Sequence, residues 1–172
     1  MLVLAVRWAR APVALYLGLV LPHGRDLAAG LVLVGVLLAL ADGLTRLAGR
    51  DVLSPFQIDS YRAARAAGDL LMLWLAVSVI APVIEEVTFR GFLYRGWAGP
   101  LGPGGAVVAT ALLWALLHVQ YDVLDIAQIF VLGLALGYIR WRSGSTLLTI
   151  LLHMLNNIIA TIETAIRLGS LP

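Results

Sequence analysis

Five ionisable side chains stand inside apolar text, and their spacing limits what they can do together. Glu85 and Glu86 are adjacent, in the run Ala81-Pro82-Val83-Ile84-Glu85-Glu86-Val87-Thr88-Phe89-Arg90. Glu86 and Arg90 are four apart, so on a helix the carboxylate and the guanidinium share a face and neutralise each other. Glu85 points about 100° away from its neighbour and is left without that partner. A carboxylate held in a low-dielectric site suits general acid/base work on a water molecule. An acid at a helix end among lipid headgroups is the plainer use of the same residue.

The other two ionisable groups are histidines on separate apolar stretches. His118 follows Trp114 by one helical turn, in Trp114-Ala115-Leu116-Leu117-His118. It serves either as an interfacial cap or as a partner of Glu85 in sharing a proton or a water. His153 and Asn157 are again four apart and present two uncharged donors to one side of a helix. Fixed donors in a dry pocket are what a developing oxyanion requires, although hydrogen bonding between helices uses the same pair.

Other chemistries fit less well. Glu85, His118 and His153 have the composition of a catalytic zinc site, but no His-Glu-x-x-His pair occurs and each ligand would come from a different helix. Zinc is therefore the less favoured alternative, and no metal or other cofactor is expected. No Ser lies in a Gly-x-Ser-x-Gly setting, and Asp residues fall near stretch ends or in loops. With no cysteine at all, thiolate nucleophiles and disulfides are absent.

These residues need a scaffold, and the composition says which solvent surrounds it. Of 172 residues, 61% are apolar and 13% charged, with a mean hydropathy of +0.95. A soluble chain this small has too little polar surface to cover that much apolar side chain, so an integral, multi-pass membrane protein is expected. The twelve basic residues are all Arg, scattered at stretch ends, and the net charge is only +2. That pattern reads as interfacial anchoring and makes a nucleic-acid partner improbable.

Gly, Pro and charge clusters divide the apolar text into six stretches, at about 2–21, 27–48, 69–97, 104–120, 123–141 and 145–167. Six spans predict a single all-α transmembrane bundle over 1–172, and the candidate residues named above all fall within about 70–165 of it. The first stretch lacks a small-residue cleavage site and is expected to be retained as a helix. Gly102-Pro103-Gly104-Gly105 predicts a turn. The polar interval 49–68 predicts either a short amphipathic element at the interface or a linker. Arg7, Arg10, Arg46, Arg50, Arg62, Arg65 and Arg167 fall on the side of the termini, against Arg25, Arg95, Arg140 and Arg142 on the other. The positive-inside tendency then puts both termini in the cytoplasm, across a prokaryotic inner or plasma membrane.

Taken in order, these motifs resemble the CPBP family, the CAAX-protease and bacteriocin-processing group of membrane glutamic proteases that includes the Rce1-type peptidases. Glu85-Glu86-x-x-x-Arg90 matches its first motif and is followed by a family-like Gly91-Phe92-Leu93-Tyr94. Trp114-x-x-x-His118 is similar to its Phe-x-x-x-His, with Trp in the aromatic place. Phe130-x-x-Gly133-x-x-x-Gly137 and His153-x-x-x-Asn157 correspond to the third and fourth. The resemblance implies that Glu85 and His118 activate a water, that His153 and Asn157 hold the oxyanion, and that Glu86 and Arg90 orient the site without metal. The implied partner is a membrane-associated peptide or protein, prenylated or carrying a C-terminal anchor or sorting signal. Two other classes remain open: a non-catalytic membrane scaffold or immunity factor on the same fold, and a proton-coupled transporter relaying through Glu85 and His118.

Overall fold

The computed structural model describes residues 12–169, and among them every regular element is a helix. A single turn, α1 (Val13–Tyr16), precedes α2 (Gly24–Leu47) and the polar helix α3 (Pro55–Ala67). A long bent helix, α4 (Leu70–Leu116), then leads to α5 (Val123–Ser143) and α6 (Thr146–Arg167). The helices α2, α4, α5 and α6 are each long and apolar enough to cross a membrane. The chain is thus an all-α polytopic bundle.

Three of the six expected stretches take a different form. Residues 69–97 and 104–120 are two arms of α4, joined at Gly102, whose φ of 70° and ψ of 163° break the helical path. Only glycine adopts that conformation without strain, so the expected turn becomes a kink flanked by Pro100 and Pro103. The arm from 103 to 116 is about 21 Å long at 1.5 Å per residue, too short to cross a hydrocarbon core of about 30 Å alone. The expected first helix over 2–21 lies outside the described residues up to position 11. Beyond Tyr16 it is not helical, because Gly18 turns with φ of 67°. The carbonyls of Leu17 and Gly18 then accept hydrogen bonds from the Thr146 Oγ1 and backbone N–H.

The interval 49–68 is mostly helical. Ser54 and Gln57 form a reciprocal capping box, Pro55 opens α3 and Gly68 closes it in the left-handed conformation. Ion pairs Arg50–Asp122 and Arg167–Asp51 tie this interval to the α4–α5 loop and to the end of α6. Asp122 also caps α5 by accepting from the Leu124 and Asp125 amides. Arg50 beside it holds the Asp122 carboxyl below its usual range. Arg140 departs from the anchoring expected of it. It is buried, donating from Nε to the Arg90 carbonyl and to Thr146 Oγ1.

Close helix approach is set by small residues. A Cβ on Gly137 would lie 2.9 Å from Val107 Cγ1, and one on Gly133 would lie 3.1 Å from both Ala111 Cβ and the Trp114 ring. The short arm of α4 therefore sits directly on α5, as expected of small-xxx-small faces. Around Val34, Leu136, Ile139, Leu148 and Leu152, α2, α5 and α6 share the main apolar core. Gly137→Leu should lower stability by about 1–3 kcal/mol through overpacking. The control Gly35→Ala, where nothing lies within 4 Å, should not. Unfolding midpoints of the two variants in detergent check this.

Candidate active site

The site forms where the first arm of α4 meets its own second arm and α6. Two wide π-helical turns, Ala76–Ile80 and Val87–Leu93, bracket the segment Ala81–Glu86 that carries both glutamates. Pro82 accounts for part of this irregularity. It has no N–H to offer the carbonyls one turn before it, and its ring pushes against them. In a π-turn the Val77 carbonyl would look to residue 82 for its donor. Asn157 of α6 supplies that donor instead, from Nδ2 at 2.9 Å.

Arg90 and Glu86 are both fully buried and joined at 2.8 Å, as the four-residue spacing predicts. Arg90 also donates to the Gly133 carbonyl at 3.1 Å and lies against the Trp114 ring, 4.5 Å from its centroid. The glycine whose missing side chain lets α5 approach thus also presents its carbonyl to the guanidinium. Glu86 Oε1 additionally meets His153 Nδ1 at 3.0 Å. Because an ionised carboxylate only accepts, Nδ1 of His153 carries the proton in that contact.

Glu85, the carboxylate without an arginine, keeps a side-chain exposure of 28% and has His153 Nε2 at 4.0 Å. Its Oε2 accepts from the Trp114 indole N–H at 2.7 Å. His118 lies just past the end of α4, half-buried, with Nδ1 at 2.8 Å from the Trp114 carbonyl. A carbonyl cannot donate, so Nδ1 holds the proton and a neutral ring presents a lone pair at Nε2. Trp114, 2% exposed, stands edge-on to His118 and His153 with ring centroids 5.1 and 5.3 Å away.

The structure therefore gathers Glu85, Glu86, Arg90 and His153 into direct contact and ties His118 to them through Trp114. Asn157 stands apart in its bonding. One N–H is committed to Val77, while Oδ1 accepts from Asn156, so the joint presentation of His153 and Asn157 to a single point rests on the second amide proton. Trp114 was legible in sequence only as an aromatic one turn before a histidine. Its polar role depends on which ring edge meets Glu85. Among the described residues no three His, Asp or Glu side chains group as a metal-ligand set.

The buried pair predicts a large stability effect. Arg90→Met leaves Glu86 buried without its guanidinium partner, and should cost about 3–5 kcal/mol. Thermal unfolding in detergent should show that loss, while the exposed Arg62→Met leaves the midpoint in place.

Residues 67–159 match a family model described as type II CAAX prenyl endopeptidase Rce1-like. Over 99 residues the chain is 35% identical to an Escherichia coli protein called "Uncharacterized 24.3 kDa protein", a match covering 54% of this chain and 44% of that one. The chain thus spans less than half of that relative's length. No solved structure matches.

Proposed function

The chain belongs to the type II CAAX prenyl endopeptidase Rce1-like family, and from that premise we propose that it hydrolyses a peptide bond of a membrane-associated protein or peptide, with Glu85 as the base. The observation that carries this reading is the placement of Glu85. It is the one carboxylate of the pair that remains partly exposed, 4.0 Å from His153 Nε2, while Glu86 is neutralised by Arg90.

In the proposed reaction a water sits between Glu85 and the Nε2 lone pair of His118. Glu85 takes a proton from it as the oxygen attacks the scissile carbonyl carbon. The carbonyl oxygen gathers charge opposite His153 Nε2–H and the free amide proton of Asn157. For His153 to donate from Nε2 while Nδ1–H faces Glu86, the ring must carry both protons. That form brings Glu85, Glu86, Arg90 and His153 to a net charge of zero, which suits a low-dielectric site. Glu85 then returns its proton to the leaving amine as the C–N bond breaks.

The substrate class follows the family name at its coarsest: a peptide delivered from the bilayer, whether prenylated or held by an apolar anchor. The test uses the full chain in detergent micelles with a quenched farnesylated peptide ending in a CAAX sequence, and with the same peptide carrying an apolar helix instead of the lipid. Glu85→Gln keeps an oxygen for the Trp114 N–H, so it should retain the unfolding midpoint while lowering cleavage by about 10²–10⁴-fold. Cleavage that persists in this variant overturns the assignment of Glu85. Activity lost to a chelator and restored by zinc overturns the metal-free scheme.

A further inference from the structure

We propose that the Trp114 indole N–H is a positioning device for this reaction, fixing Glu85 so that Oε1 is the oxygen presented to the water. The inference rests on the peptidase reading and names a group outside its catalytic set. The residue is unusual in the number of site groups it touches. Its N–H meets Glu85 Oε2 at 2.7 Å, its carbonyl accepts from His118 Nδ1 at 2.8 Å, and its ring face receives Arg90 at 4.5 Å. Its edge contacts with His118 and His153 complete a wall on which both water-handling groups are held.

Phenylalanine at this place would keep the ring face for Arg90 and the backbone carbonyl for His118, but it has no donor for Glu85. Among the described residues the carboxylate accepts one hydrogen bond, from Trp114, so it owes its orientation to that N–H. A freely turning carboxylate on a partly exposed side chain loses the alignment that proton transfer needs. The oxygen that Trp114 holds, Oε2, is also the one 4.0 Å from His153 Nε2, so Oε1 is left for the incoming water. Burial of Trp114 at 2% exposure and the close seat of Gly133 against its ring keep the indole from rotating away.

The experiment separates the donor from the ring. Site-specific incorporation of the benzothiophene isostere of tryptophan at position 114 retains size and shape while replacing N–H by sulfur. With the farnesylated CAAX peptide, kcat should fall about 10- to 100-fold, the range for losing a hydrogen bond to a charged group, while KM changes by less than about twofold. Trp114→Phe should fall at least as far. In a second arm, the indole 1H–15N resonance of residue 114 in wild-type protein, assigned by its loss in the isostere, should shift when Glu85→Gln is introduced. Wild-type kcat in the isostere, or a resonance indifferent to Glu85→Gln, overturns the positioning role. A wild-type protein that cleaves neither peptide overturns the peptidase reading, and the resonance arm then still reports whether the indole holds Glu85.

Discussion

The fully buried pair of Arg90 and Glu86 is the interaction on which the rest of the arrangement depends, because two opposite charges placed mid-helix in an apolar bundle dictate their surroundings. A guanidinium with five N–H donors needs more than one carboxylate oxygen. It takes the Gly133 carbonyl of α5 and the Trp114 ring face of the second arm of α4. Glu86 in turn draws in His153 from α6. One ion pair therefore specifies how three other helical segments meet the first arm of α4. Glycine at 133 and 137 allows the backbones to come near enough for those contacts.

The irregular backbone of α4 serves the same end. Helices in an apolar environment satisfy their own carbonyls, and a proline or a wide turn frees some of them unless a neighbour donates. Asn157 donates to Val77 and Arg140 donates to Arg90, so each π-helical turn is answered by a side chain from another helix. Wide turns of this kind recur at functional sites because they change which residues share a face. Here they bracket the two adjacent glutamates, one of which is sealed inside while its neighbour keeps access to the exterior.

The site also shows how similar residue types acquire different roles from their surroundings. Two adjacent carboxylates differ because one lies over an arginine and the other under an indole. Two histidines differ because one hands its Nδ1 proton to a carboxylate and the other to a backbone carbonyl. Each ring is left with Nε2, and the proposed division between a water at His118 and an oxyanion at His153 rests on the second proton that His153 carries in that scheme.

Much of this was legible in the sequence by itself. Composition determined the membrane, since that proportion of apolar residues cannot be covered by so few polar ones, and the lengths of the apolar stretches determined the helical bundle. The four-residue spacing determined the Glu86–Arg90 pair, since helix geometry fixes which residues share a face. Tertiary structure alone decided that the stretches 69–97 and 104–120 are arms of one bent helix, because the conformation of Gly102 follows from how those arms pack. It likewise turned Arg140 inward, committed one Asn157 proton to Val77, and aimed the Trp114 N–H at Glu85. Each is a contact between residues distant in the chain, and local spacing records which face a side chain occupies without recording what it will meet there.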